Sequence, residues 1–188
     1  MNEDSSLVAD LVAFSVIGIN VTTQHLSHVA AGEASDDLEL IAEESLAVTS
    51  VTTERVLSFV LREAPSRAAV LAAVGQTPFR YYDYILGNQV LEMRDESSDI
   101  DLDSTSSVFN RVGRKVAFYG SHFPEAAFPG ASITREKMVL WMGRISSPGL
   151  HEHPEKRLER LGLANILQRH LRLVQGYTLQ RLEAEVES

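Results

Sequence analysis

From Leu7 to Val29 the chain carries largely apolar residues at the three- and four-residue spacing of a helix, in two neighbouring seams. One runs through Leu7, Leu11, Phe14, Gly18, Val21, His25 and His28. The other runs through Val8, Val12, Ser15, Ile19, Thr22, Leu26 and Val29. Two adjacent seams make a broad face that calls for burial, so the pattern predicts a central helix over 5–31. Its β-branched residues lower intrinsic helix preference, so packing must hold it in place.

The helical period continues downstream. A second helix is predicted over 36–64, stopped by Pro65, with Glu39, Glu43, Glu44 and Glu54 on its exposed face. A short helix over 66–74 ends at Gly75. Thr77 and Pro78 then supply a hydroxyl cap and a proline at the first helical position, opening a helix that runs to about Met93. Glu92–Ser107 is rich in acid and serine and reads as an exposed loop, with residues 94–107 flexible. A fifth helix follows, with Val108, Phe109, Val112, Val116 and Tyr119 on one side. Thr134 caps a sixth over 135–142, ended by Gly143, and Pro154 opens an amphipathic segment that continues through Leu163, Leu171 and Leu182 to Val186. No strand-like alternation and no internal repeat interrupts this pattern. The expected fold is all-α: a single domain over 1–188, a bundle of six to eight helices compatible with globin-like packing.

A chain of 188 residues, 44% of them hydrophobic, can bury about two-thirds of its unfolded surface without a disulfide or structural metal. It contains no cysteine, which excludes thiol catalysis, iron–sulfur clusters and cysteine-based zinc sites. The apolar run Leu7–Val21 is shorter than the roughly 20 residues of a membrane span and contains Asp10 and Asn20. The first basic residue is Arg55, so the positive start of a secretory signal is missing. A cytoplasmic protein without a membrane segment is expected.

The net charge of −9 is unevenly spread. Residues 1–104 carry 5 basic and 18 acidic side chains, and residues 105–188 carry 12 basic and 8 acidic. Either the two halves offset each other's fields by packing together, or the basic part awaits an anionic partner. The acidic total argues against a non-specific nucleic-acid binder.

Short catalytic signatures are lacking. Asp99, Asp101 and Asp103 have the alternation of a calcium loop, but Ser104 stands where glycine is needed and Asn110 where a bidentate glutamate belongs. His151 and His153, with Glu152 and Glu155, fit a polar helix cap better than a zinc site. His25 and His28 lie on one helical face and His170 beside an apolar stripe, which makes them the candidate metal ligands. No Glu-x-x-His pair accompanies them, as di-iron bundles require. Ser121 and His122 are adjacent but lack a nucleophile elbow. The balance is against an enzyme. Aromatic residues offer more: Tyr81, Tyr82 and Tyr84 on the fourth helix, with Phe118, Tyr119, His122 and Trp141 around the 120–133 loop, form a candidate small-molecule pocket.

Two stretches resemble known families. Val70–Gly87, within residues 66–87, is similar to a helix-turn-helix: Gly75 would make the turn, Thr77 and Pro78 would open the reading helix, and Tyr81 and Ile85 would pack inward. That helix has one basic residue, Arg80, opposite Asp83, where phosphate contacts need more positive charge. Val108–Ser147 resembles the globin-like amino-terminal sensory domains of bacterial regulators of the RsbR type, through Gly113, Arg114, Ala117 and Gly120 and the amphipathic helix that follows. This second resemblance implies an all-α, often dimeric signalling module. If haem were bound as in globin-coupled sensors, His122 would be the first axial ligand to test. The expectation is a non-enzymatic regulatory, sensory or protein-interaction module that works by helix rearrangement in a homodimer, with a protein partner or a small-molecule ligand. A helix-turn-helix regulator and a histidine- and carboxylate-based metal protein are the alternatives.

Overall fold

The computed structural model describes residues 3–31, 38–80, 102–123, 135–145 and 153–186. Among them are seven helices: α1 (Glu3–Ala31), α2 (Leu38–Val60), α3 (Arg67–Gly75), α4 (Leu102–His122), α5 (Arg135–Ile145), α6 (Pro154–Leu161) and α7 (Leu163–Val186). No strand occurs among the described residues, so the fold is an all-α bundle as expected.

The axis of the bundle is α2, which packs against α1, α3, α4, α5 and α7. From Glu43 to Thr53 every side chain is buried, which small residues permit: Ser45, Ala47, Thr49, Ser50, Thr52 and Thr53 let neighbouring helices approach. Buried hydroxyls need partners, and two of them bond back within the helix. Thr52 donates to the Val48 carbonyl (2.7 Å) and Thr53 to the Thr49 carbonyl (2.7 Å). Around this axis Leu11, Ile19, Leu26, Leu46, Leu57, Tyr119, Trp141, Leu167 and Leu171 form part of one continuous core.

Four expectations need correction. Glu43 and Glu44 are not on an exposed face: they are 2% and 0% exposed, because α4 and α5 bring cations onto them. Residues 102–107 of the expected acidic loop belong to α4, and the part of that loop before Leu102 lies outside the described residues. That excludes the calcium-loop geometry beyond Asp101. Gly143 does not end α5, which continues to Ile145. The carboxy-terminal pattern is also broken, at Gly162, whose φ of 64° caps α6 and lets α7 start on a new axis. Ahead of α6, His153 accepts a hydrogen bond from the Glu155 amide and acts as its cap.

Of the helix-turn-helix segment, α3 and a helical turn at residues 77–80 are described. Tyr81, Tyr82, Tyr84 and the rest of the reading helix lie outside the described residues.

The helix α1 is longer than the apolar run alone implies. From Ser6 to Ala31 it is long and apolar enough to cross a membrane by length and composition, a test that a core helix also passes. One face of it lies in the core, through Leu7, Leu11, Ser15, Ile19, Thr22, Thr23, Leu26 and Ala30.

Candidate functional site

Among the described residues, two places concentrate polar chemistry or open surface. The first is the charge cluster between α2, α4 and α5. Glu44 accepts from Arg144 at both oxygens (Nε to Oε2 2.8 Å, a terminal nitrogen to Oε1 2.6 Å) and from the Tyr119 hydroxyl at 2.6 Å. Lys115 stands 3.7 Å away. Glu43 accepts from Lys115 and from Arg111 (3.0 Å), and Arg111 also reaches Glu39. Carboxylates of the acidic half thus meet cations of the basic half, the self-complementary arrangement of charge. Burial, then the Glu44 charge, pushes the Tyr119 phenol far above the tyrosine range. The hydrogen bond to Glu44 strengthens the hold of Arg144 on its proton. With both carboxylates matched by cations and hydrogen bonds, the cluster pins α4 and α5 to α2.

The aromatic candidates adjoin this cluster and fill space. Tyr119 and Trp141 are fully buried. Phe118 packs edge-on against Tyr119 (5.3 Å between centroids) and is covered by the Arg144 guanidinium at 4.1 Å. The His122 ring lies tilted against Phe118, 4.2 Å between centroids, and its Nδ1 donates to the Phe118 carbonyl at 2.8 Å. That bond places the proton on Nδ1. Although Ser121 Oγ is 3.2 Å from it, Nδ1 therefore has no lone pair with which to activate the hydroxyl. The Ser121 hydroxyl donates to the same carbonyl at 2.7 Å.

The second place is the seam between α1 and α7. These helices run antiparallel. Asp10 pairs with Arg181 (2.8 Å), Phe14 stacks on Tyr177 (4.0 Å between centroids, 13° between planes), and Gly18 lies against His170. Beside this line lies a groove of about 530 Å³. Phe14, Ile17, Val21, Ile166 and Leu173 give it apolar walls, and His25, Asn165, Arg169 and His170 give it polar points. Ile17, Val21 and Leu173 are 63%, 60% and 56% exposed.

The predicted broad face of α1 is therefore only half right. The seam through Ser15, Ile19, Thr22 and Leu26 is buried, whereas Val21, His25 and His28 of the other seam are exposed. Ile17 belongs to neither seam. The signal for it was a third stripe: Ala9, Ala13, Ile17 and Val21, four residues apart and all exposed. A helix apolar on three sides has more apolar surface than one core covers.

Of the three candidate metal ligands, only His170 is inside. Its Nε2 is 2.8 Å from Thr53 Oγ1. Because the Thr53 proton is already given to the Thr49 carbonyl, both bonds form together only if Nε2–H donates to Thr53. Nδ1 then carries the lone pair. Burial lowers the pKa of His170 to about 4, so this tautomer is neutral at pH 7. His25 and His28 stand exposed on α1. Among the described residues no group of three His, Asp or Glu side chains could hold a metal.

No protein-family model matches this chain, and neither the curated proteins nor the solved structures contain a significant match to it.

Proposed function

We propose that the protein is a non-enzymatic interaction module of regulatory type, and that the α1/α7 groove is the face at which it docks its partner. The observation that carries this reading is the exposure of Ile17, Val21 and Leu173 around an apolar groove of about 530 Å³. Large apolar side chains clustered this way mark interaction surfaces, whereas isolated ones do not. The groove is built by the first and last helices, and α2 packs on both. A partner that moved α1 relative to α7 would act directly on the axis of the bundle. The resemblance of residues 108–147 to sensory domains of bacterial regulators is in keeping with such a role.

A second reading, a small-molecule ligand, is favoured by the His170 lone pair beside the groove, which suits a hydroxyl or amide donor on an otherwise apolar molecule.

Native mass spectrometry of the purified protein tests both, with an Ile17→Glu/Leu173→Glu variant alongside. The expected result is a native mass above that of the bare chain, lost in the variant. A bare monomer in both, or an excess mass that the variant retains, would overturn the groove as the docking face.

A further inference from the structure

The docking face is polarised along its length, and this polarity selects its occupant. At one end lie the first turns of α1 and the last turns of α7, where the described charged side chains are Asp10, Glu183 and Glu185 against Arg181. Toward the other end, α1 from Leu11 to Ala31 and α7 from Leu163 to Gln180 contain no acidic residue, and α7 contributes Arg169 and Arg172. Both arginines are exposed, as is Glu183 at the acidic end. Between the ends the surface is uncharged. On α1 its ridge is small at one side (Ala9, Ala13) and large at the other (Ile17, Val21). Gly176, exposed on α7, has open space where a Cβ would stand.

We infer that this face pairs with the same face of a second copy of the chain, antiparallel about a two-fold axis passing between Ala13 and Ile17, to build a four-helix arrangement from two α1/α7 pairs. The inference rests on the docking reading above and names the partner. Three features support it together. The two-fold places Ala9 and Ala13 of one copy opposite Val21 and Ile17 of the other, so large side chains meet gaps. It places the acidic end of each copy over the basic end of the other, whereas a parallel arrangement would bring like ends together. It is also self-complementary, as a closed two-fold interface must be. A small molecule in the groove would touch Ile17, Val21 and Leu173 but not reach Ala9 and Ala13, which do not line it; a second helix pair covers the whole ridge.

The test is a charge swap read by native mass spectrometry and light scattering at low salt, where such pairing is strongest. In the first variant, Arg169→Glu/Arg172→Glu, both ends are acidic. In the second, Glu183→Lys/Glu185→Lys, both ends are basic. The wild type is expected to be a dimer. Each variant alone should be a monomer, or at least tenfold weaker in self-association, and an equimolar mixture should give the mixed dimer. Formation of that mixed dimer also shows that both variants fold. A mixture that stays monomeric, or a first variant as dimeric as the wild type, overturns the two-fold register.

A wild-type monomer carrying a non-protein mass lost in Ile17→Glu/Leu173→Glu overturns the second copy but leaves the docking face standing. A dimer indifferent to Ile17→Glu/Leu173→Glu removes both proposals, because its interface then lies elsewhere.

Discussion

Arg144 of α5 grips Glu44 of α2 through both oxygens, at 2.8 and 2.6 Å, and carries its guanidinium over the Phe118 ring of α4 at 4.1 Å. One side chain thus ties three helices that are far apart in sequence. The pair sits at an edge: Glu44 is inaccessible to solvent, while about a third of Arg144 (34%) is exposed.

Removing the arginine strands a buried carboxylate, which Lys115 at 3.7 Å only partly compensates. Breaking such a pair from one side costs about 3–5 kcal/mol, and the exposure of Arg144 puts Arg144→Ala at the low end, about 3 kcal/mol. Replacing both residues by methionine should cost less than the single change, since no charge is then left without a partner. Urea unfolding of both single variants and the double variant checks this. A loss under about 1 kcal/mol for Arg144→Ala would show that Glu44 is satisfied without it.

Tyr119→Phe isolates one bond of the same cluster. The ring keeps its contacts with Phe118 and Phe123, so the change removes the hydrogen bond to Glu44 and little else. Hydrogen bonds to a charged acceptor contribute about 1.5–3 kcal/mol, which is the loss of stability expected. Because burial holds the phenol protonated, the wild type and the variant should also give the same alkaline absorbance titration until the fold is lost. An additional tyrosine ionising in the folded wild type would contradict the buried geometry.

Helical period alone was enough to read α1, α3, α5 and the all-α class to within a few residues. The charge cluster was invisible to it. Glu39, Glu43 and Glu44 look like a solvated face of α2, and only tertiary contact with Arg111, Lys115 and Arg144 reveals two of them as interior. Burial of an ion pair depends on residues about 70 to 100 positions away, beyond any local pattern. The groove failed for the opposite reason. Its stripe, Ala9, Ala13, Ile17 and Val21, was present in the sequence, but a period read as burial does not say which of three apolar faces the core will leave uncovered.

Gly18 of α1 lies directly against the His170 ring of α7. A Cβ there would stand 2.7 Å from His170 Cε1 and 3.1 Å from Nδ1. The imidazole has little freedom to retreat while Nε2 is held by Thr53. Alanine normally favours a helix over glycine by about 1 kcal/mol. Here Gly18→Ala is expected to destabilise instead, by about 1–3 kcal/mol, through a displaced ring and a lost buried hydrogen bond. His170→Ala opens the space, so in that background Gly18→Ala should become neutral or stabilising. A double-mutant cycle gives the sign directly, and additivity of the two changes would mean that the residues do not touch in solution.

The same histidine sets a pH window for stability. Burial lowers its folded pKa from 6.5 to about 4, so between those values the unfolded chain takes up a proton that the folded chain refuses. Uptake by the unfolded state favours unfolding, so this contribution is complete above about pH 6.5, falls as the pH drops, and is exhausted near pH 4. The full span is worth about 3 kcal/mol, of which about 2 kcal/mol is lost between pH 7 and pH 5. Replacing His170 by glutamine removes the titration while keeping a polar side chain near Thr53. The wild type should therefore lose about 2 kcal/mol more than His170→Gln between those two pH values, by urea unfolding. NMR titration of the ring in the folded protein gives an independent reading, with the imidazole still neutral at pH 5. A resonance that shifts near pH 6.5 would mean that water reaches His170 through the groove and that its burial between α1 and α2 is not maintained.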